Sequence, residues 1–480
     1  MIIRIIVTSW NFSLADLYFH WKCRGAHQHL KTFIRNERRL LFGTMVLYTP
    51  GQMTSYPSSP VENGRLRFHF LGGGDEVGNV GCVLEDSTGT RLQIDYGFLA
   101  SNPPRFPDEA PAIADALFTH AHLDHFGMAP WLVAAHRTNL HVSPVVAELA
   151  ELLWRDSYKV SSIEGDPLPW DKRDLEEALG YLSTFQLGEW NEIGNWRWRA
   201  HRAGHIVGAV MFEIETPGRR ILWSGDLDTR NSPTTKGAQP VEADILFLEA
   251  TYGDSEHPER ESEEQRFIDR VVEVVERGGT VLVPAFANGR CQDILMLLWK
   301  SQLDLNVHFD GMGKRITDTF MAHPDYVADV DGLKDAYRWS KRVSSKSDRK
   351  KALDADVIVT TSGTLDGGPS LWYLNRLRRD HRNAILLTGY QAEGSGGRML
   401  VESGRLPIFG NITDISLEVD RFTLSNHASQ SQLLEFALAT KAKDVVLFHS
   451  DPDTRPALAA LLEKKGVRTH LPSNHQSFTI

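Results

Sequence analysis

Cysteine is nearly absent from this 480-residue chain: Cys23, Cys82 and Cys291 are all it has, and they lie far apart. With no CxxC pair, neither a disulfide framework nor a thiolate zinc site can be built, so any metal is held by nitrogen and oxygen. A reduced, cytoplasmic setting is the simplest reading of that scarcity. Long apolar runs are missing too. None approaches the roughly 18 residues of a membrane span, and no membrane partner is expected. Surplus positive charge is the third absence. With 52 Lys and Arg against 62 Asp and Glu, the net charge is −10, which argues against non-specific nucleic-acid affinity, since that rests on clustered cations. A nuclease remains compatible, because it needs positive charge only along its substrate track and metal ions supply part of it. What is left, 41% hydrophobic and 24% charged, is the composition of an ordinary globular protein. The length allows two or three domains.

Against this background one stretch stands out, ALFTHAHLDHFG at residues 116–127. Its first four residues form an apolar run that reads as a buried strand ending at His120. His120, His122, Asp124 and His125 then offer four lone pairs suited to a borderline divalent cation such as zinc. A strand that delivers ligands into a loop holds them on a rigid element, which a metal site needs. The alternative, a polar loop with chance histidines, does not account for that concentration.

The spacing HxHxDH resembles the signature of the metallo-β-lactamase fold. That resemblance implies a further histidine in a glycine-flanked turn and an aspartate at a later strand end. AGHIVGAVMFEIE supplies His205, and ILWSGDLD supplies Asp226. Asp95, closing a strand in IDYG, reads either as a carboxylate that orients a metal-binding histidine or as a turn residue.

Residues 1–64 read as a poorly ordered extension and linker, with seven Lys or Arg against three acids and no sustained periodicity. An Arg-rich targeting peptide is one alternative, and a functional start at Met45 or Met53 is another. A Pro- and Ser-containing stretch, TPGQMTSYPSSPVENG, closes the segment. From Arg65 strands alternate with glycine turns; GGGDEVGNVG lacks the Lys-Ser/Thr ending of a P-loop. Helices are expected around 143–159 and 170–179, and strands around 196–203, 209–215, 220–224 and 244–249. Ser262 and Gln265 suggest a capping box for a helix that buries Phe267, Val271 and Val275 and leaves Glu263, Glu273 and Glu276 outside. Strands and helices then alternate as in a parallel α/β unit. The chain returns to ligand-type histidines at His427 and His449.

From about Arg65 onward an ordered series of segments resembles the β-CASP group of metallo-β-lactamase-fold nucleases. That group includes bacterial RNase J and the endonuclease of pre-mRNA polyadenylation. The series runs LGGGDEVGNVGC, IDYG, HAHLDH, AGHIVGA, SGD, EATYGD, VPAFANGRCQD, SGTLDGGPSLWYL, GYQAEGSGGR, LSNHAS and LFHSD. The resemblance implies an αββα sandwich in two parts, 65–253 and 421–480, with an α/β cap domain at 254–420 inserted between them. It implies two zinc ions, one held by His120, His122 and His205, the other by Asp124, His125 and His449, with Asp226 bridging. Two such ions can activate a shared hydroxide for phosphodiester hydrolysis, with Asp124 counted among the catalytic groups.

His427, free of both coordination spheres and oriented by Glu249, would protonate the leaving oxygen, giving a 5′-phosphate and a 3′-hydroxyl. A buried histidine satisfied by backbone groups is the bland alternative. Arg290, Ser362, Gly363, Ser395, Gly396 and Arg398 are the expected phosphate contacts on single-stranded RNA. The basic run 341–351 reads either as more of that track or as a solvated helix face. The residues after His427 and His449 depart from the family pattern, at Ser429 and Ser450. Oligomeric state is left open. A DNA nuclease, a small-molecule hydrolase and a non-catalytic scaffold subunit are the alternatives: His449 speaks against the first, the cap against the second, the complete ligand set against the third.

Overall fold

Strands rich in aromatic and branched residues pair into two seven-stranded sheets laid face to face. The computed structural model describes residues 56–57, 59–101, 103–391 and 394–480. The first sheet is built around Leu66–Gly72, all seven residues of which are buried, as expected of a strand covered on both faces. It pairs antiparallel with Ser477–Thr479 on one side and Gly81–Asp86 on the other; Arg91–Tyr96, Asp115–Leu117, Asn139–Val142 and Leu182–Thr184 continue the sheet. The second sheet runs Arg468–His470, Asp444–Phe448, Ile245–Glu249, Arg219–Trp223, Val210–Thr216, Trp196–Arg202 and Asn191–Ile193.

Between the sheets lies a core of rings. Phe68 meets Phe247 edge-on at 5.3 Å, and Trp223 stacks on Phe247 at 4.8 Å. Each such pair adds about 0.5–1.5 kcal/mol beyond the burial of its area. Helices cover the outer faces: Pro144–Glu164 lays Val146, Leu149 and Trp154 on the first, and Gln430–Ala439 and Arg455–Glu463 lay Leu433, Phe436 and Leu458 on the second. This is the expected αββα sandwich.

Two parallel pairings put the chemistry at one rim. Ile94 pairs with Leu117, so Asp95 and the residues after Phe118 leave the first sheet on the same side. In the second sheet Glu249 pairs with Phe448, and Trp223 with Phe247. Asp226, Glu249 and His449 therefore emerge together. Gly97 permits the closest approach: a Cβ there would stand 1.9 Å from the main-chain carbon of Asp124, so only glycine lets the HAHLDH loop lie against the IDYG strand end.

The cap is an all-parallel six-stranded sheet in the order Lys341–Arg342, Val307–Phe309, Val357–Thr360, Val281–Pro284, Ala384–Leu387, Glu418–Arg421. Helices flank it, and a small hairpin, Arg405–Ile408 with Asn411–Asp414, is appended. Among the described residues no helix is long and apolar enough to cross a membrane.

Local expectations shift at several places. The helix expected at 143–159 runs to Glu164, where Gly165 closes it in the left-handed conformation. The helix after the acidic stretch starts at Arg260, capped by the Glu259 carboxylate, which accepts from the main-chain N–H groups of Glu261 and Ser262. Ser262 is thus inside the helix and caps nothing. Glu263, expected outside, is buried: it accepts from Thr423 N at 2.7 Å and pairs with Arg266. Val274, rather than the partly buried Val275, is fully enclosed there.

Of the extension expected at 1–64, residues 1–55 and Ser58 lie outside the described residues. The rest is tied to the first strand: Arg67 Nη2 donates to the carbonyl of Ser59 at 2.7 Å, Tyr56 Oη donates to Glu85 at 2.9 Å, and Val61 is buried.

Candidate metal centre

At the shared rim the structure gathers three overlapping groups of donors: His120, His122, His205 and Asp226; Asp124, His125 and His449; and Asp226, Glu249 and His427. In the first group His122 Nδ1 lies 3.1 Å from His120 Nε2 and 3.2 Å from His205 Nε2. Asp226 Oδ2 stands 3.5 Å from His120 Nε2 and 3.7 Å from His205 Nε2. Donors bound tetrahedrally at zinc distances stand roughly 3.3–3.4 Å from one another, so this cage has the right size. The other oxygen, Asp226 Oδ1, is 3.3 Å from His125 Nε2 and 3.4 Å from His449 Nδ1, and His449 Nε2 is 3.5 Å from Asp124 Oδ2. One carboxylate thus faces two clusters, one oxygen toward each.

Hydrogen bonds on the far side of the rings fix which nitrogen faces inward. His205 Nδ1 can only donate to the main-chain oxygen of Asn426, 2.9 Å away, and this leaves the Nε2 lone pair for the cluster. His122 Nε2 likewise donates to the main-chain oxygen of Asn288, at 3.4 Å, on a cap loop. Asp95, fully buried at a positive φ of 52°, accepts from His125 Nδ1 at 2.9 Å and from Thr119 N and Oγ1 at 2.7 and 2.8 Å. Because the Thr119 hydroxyl proton goes to Asp95, its oxygen accepts from His120 Nδ1 at 3.0 Å. Asp95 therefore orients two rings of the donor set, His125 directly and His120 through Thr119.

Electrostatics agree with a cation site. Burial drives His120 and His205 well below the ordinary imidazole pKa, and His122 below it, so these rings are neutral donors. Burial opposes ionisation of Asp226 and Asp124, but His449 and His125 hold both carboxyls below their usual range. Burial opposes charge on His125 as well, yet Asp226, Asp124 and Asp95 raise its pKa well above normal. Its proton occupies the place of a cation among three acids. His125 Nε2, Asp226 Oδ1 and His449 Nε2 are buried without a hydrogen bond. Each such group costs about 1–3 kcal/mol, and an ion among them would satisfy all three. The residues present fit a metal centre.

Beside it sits a second device. His427 Nδ1 donates to Glu249 Oε1 at 2.8 Å. Glu249, fully buried, also accepts from Leu227 N at 3.2 Å and Thr251 N at 3.0 Å. Burial opposes protonation of His427, but Glu249, then Asp226 and Asp228, raise its pKa to about 9. Its ring lies 4.5 Å from that of His205, centroid to centroid. Its carbonyl is held by His257 Nε2 at 3.0 Å and Arg230 Nη2 at 3.1 Å.

The expected phosphate contacts lie on cap loops and helices. Arg290 is buried, 3.5 Å from Asp293, and burial lowers its pKa to about 10. Ser395 caps the helix Gly396–Ser403, Gly396 N donates to Asp366 at 2.7 Å, and Arg398 pairs with Glu402 on the same helix. Ser362 N donates to Ser370 Oγ at 3.1 Å, and the Gly363 carbonyl accepts from Gln391 at 3.2 Å. These groups are engaged within the cap. In the basic run Arg349 pairs with buried Asp310 at 2.7 Å, and Lys346–Lys351 is a short exposed helix. Thr119, Asn288, Asn426 and Asp293 had no sequence signal beyond lying near recognisable motifs.

The sequence matches the metallo-beta-lactamase superfamily over residues 89–284, the Beta-Casp domain over 291–400, and the Zn-dependent metallo-hydrolase RNA specificity domain over 413–472. It is 33% identical to RNase aCSPSF2 of Saccharolobus solfataricus over 86% of this chain and 85% of that protein. With the probable RNase MJ4 of Methanocaldococcus jannaschii it shares 31% identity over 80% of this chain and 92% of that one. Cleavage and polyadenylation specificity factor 73 of Drosophila melanogaster is 25% identical over 84% of this chain, which spans 62% of that protein. A crystal structure of a protein of unknown function from Enterococcus faecalis superposes with a TM-score of 0.54 at 12% identity, over 87% of this chain and 100% of the other. That likeness speaks to fold alone.

Proposed function

The chain belongs to the metallo-beta-lactamase superfamily, with Beta-Casp and RNA specificity domains, and from that premise we propose that it hydrolyses phosphodiester bonds of single-stranded RNA. The products are a 5′-phosphate and a 3′-hydroxyl. Two zinc ions are the expected cofactors, one held by His120, His122 and His205, the other by Asp124, His125 and His449, with Asp226 between them. Such ions supply Lewis acidity toward water and the phosphoryl oxygen.

The observation that carries this reading is the 2.8 Å contact between His427 and Glu249, placed beside a complete donor set. His427 holds a proton at neutral pH and is free to deliver it from Nε2 to the departing 3′-oxygen, while Glu249 grips Nδ1 and steadies the imidazolium. Asp124, with 27% of its side chain exposed against 3% for Asp226, lies on the open side of the donor set, where water and substrate arrive. The cap loop at Asn288 closes over His122 from the other side.

The test is digestion of a long single-stranded RNA labelled at either end, beside DNA of the same sequence. RNA should be cleaved much faster, with 5′-phosphate termini. Equal rates on both polymers, or no cleavage with metal bound, would overturn the reading. Product sizes from the two labels report whether cutting is internal or terminal.

A further inference from the structure

The rim of the cap sheet that overlooks the metal centre carries features that none of the preceding chemistry uses. Phe286 and Tyr390 are large aromatic side chains that follow strands of the six-stranded cap sheet, 40% and 55% exposed. Phe286 follows Val281–Pro284, and Tyr390 follows Ala384–Leu387. The exposed Trp190 of the second sheet is, by contrast, covered by the guanidinium groups of Arg197 and Arg199.

Phe286 is rigidly mounted. Its carbonyl accepts from Cys291 N at 3.1 Å, and Ala285 N donates to Thr360 O at 2.8 Å. The edge of its ring rests on Gly389, where a Cβ would stand 3.0 Å from Cε2. Any larger residue at Gly389 would push the ring.

A second, independent observation lies two residues on. Asn288 is 6% exposed, and neither its Oδ1 nor its Nδ2 has a hydrogen-bond partner. Thr388 Oγ1, next to Gly389, is also buried and unpartnered. Buried amides are normally paired, and leaving one unpaired is costly. The Asn288 main-chain oxygen already touches the metal centre through His122, so this unsatisfied amide borders the reaction site. An exposed, rigid aromatic face beside an unspent donor–acceptor pair is the chemistry that holds a planar heterocycle.

We propose that Phe286 and Asn288 form a nucleobase subsite adjoining the metal centre, with Phe286 stacking on the face of one unpaired base and the Asn288 amide reading its edge. This deepens the ribonuclease reading and rests on it. The amide offers one acceptor and one donor side by side. That pair complements any adjacent donor and acceptor on an unpaired base, such as N6–H and N7 of adenine or N1–H and O6 of guanine. The subsite therefore prefers a base-bearing nucleotide over an abasic one at one position near the cut.

The experiment uses the metal-loaded full chain and single-stranded RNAs carrying 2-aminopurine at successive positions, read by rapid mixing before turnover. The wild type should quench one position strongly. Phe286→Ala should abolish that quench and weaken RNA binding roughly 10-fold or more, the size of a lost base stack. Phe286→Tyr should retain it, and Phe286→Leu, similar in bulk but without a ring, should not. An abasic nucleotide at that position should weaken wild-type binding equally, and Phe286→Ala should add nothing to that loss. Asn288→Ala should keep the quench and weaken binding of the base-bearing RNA while leaving that of the abasic RNA unchanged. Unchanged quench and affinity in both Phe286→Ala and Phe286→Leu would overturn the stack; an Asn288→Ala affinity for the base-bearing RNA equal to that of the wild type would overturn the edge reading. A wild type that binds no RNA would instead overturn the ribonuclease reading, and the subsite with it.

Discussion

The main-chain oxygen of Asn426 accepts a hydrogen bond from His205 Nδ1 at 2.9 Å, while its side-chain amide donates to Asp293 Oδ2 on a cap helix at 2.8 Å. A single residue thus holds a metal-facing ring with its backbone and the cap with its side chain, and its neighbour is His427. Arg260 Nη1 adds a bond to Asn426 Oδ1 at 3.2 Å. Asn426→Ala should leave the Asp293 carboxylate buried with one partner fewer. The expected loss is about 1–3 kcal/mol of stability, measured by chemical denaturation, together with slower turnover at retained metal content. Unchanged stability would mean that the cap is not anchored there.

Asp226 is shared by both clusters, with Oδ2 near His120 and Oδ1 near His125. Asp226→Ala should therefore empty both sites, where His449→Ala should lower the content of one only. Elemental analysis decides it; full occupancy in Asp226→Ala would refute the shared role.

Thr119 relays Asp95 to His120 through two bonds of 2.8 and 3.0 Å. Thr119→Val keeps the shape and removes the relay. Metal affinity should fall about 10- to 100-fold, the usual cost of losing an outer hydrogen bond to a ligand. Competition with a chelator of known affinity would measure it.

For His427→Ala, both metals should stay and turnover should drop by roughly 10²–10⁴. Glu249→Gln should act in the same direction, and the pair together should be little worse than the worse single variant. A substrate with sulfur in place of the leaving 3′-oxygen needs little proton assistance. It should rescue His427→Ala selectively; absence of rescue would make His427 a positioning group.

The pH profile follows from the His427 pKa, which Glu249, against the opposing effect of burial, raises to about 9. A raised value means that the proton is held below that pH and lost above it. Turnover that depends on the proton should thus decline on the alkaline side, at a pH below about 9 once cations beside Asp226 offset its share of the rise. In Glu249→Gln, which loses the largest raising influence, the decline should move to lower pH, and in His427→Ala it should vanish. A limb that stays put in both variants would point to another group.

The clustering of His120, His122, Asp124 and His125 was legible because metal chemistry allows few residue types and the HAHLDH loop places four of them in one short window. His205, Asp226 and His449 were legible only through the resemblance, since nothing local marks them. Asn288, Asn426 and Thr119 were not legible: they act through main-chain oxygens or a relayed hydroxyl, and those roles exist only once separate strand ends meet. Glu263 was misplaced because a helical face was judged from charge. A carboxylate that can accept from Thr423 N and pair with Arg266 is as well satisfied inside as out. Of the cap groups expected to contact phosphate, Gly396 N already donates to Asp366, a local pairing that no sequence pattern foretells.

The parallel pairing of Ile245–Glu249 with Asp444–Phe448 also has a consequence in time. During synthesis His120, His122, His205 and Asp226 are all present before the cap begins, whereas His427 and His449 arrive only after it is complete. The first cluster can assemble on a partial chain; the second, with His427, must wait for a strand that pairs beside Ile245–Glu249 across the whole cap. Such distant pairing is slow to form. A ribosome-bound intermediate would then hold the donors of one cluster without His427 and His449, and the donor set would be complete only after the cap has been made.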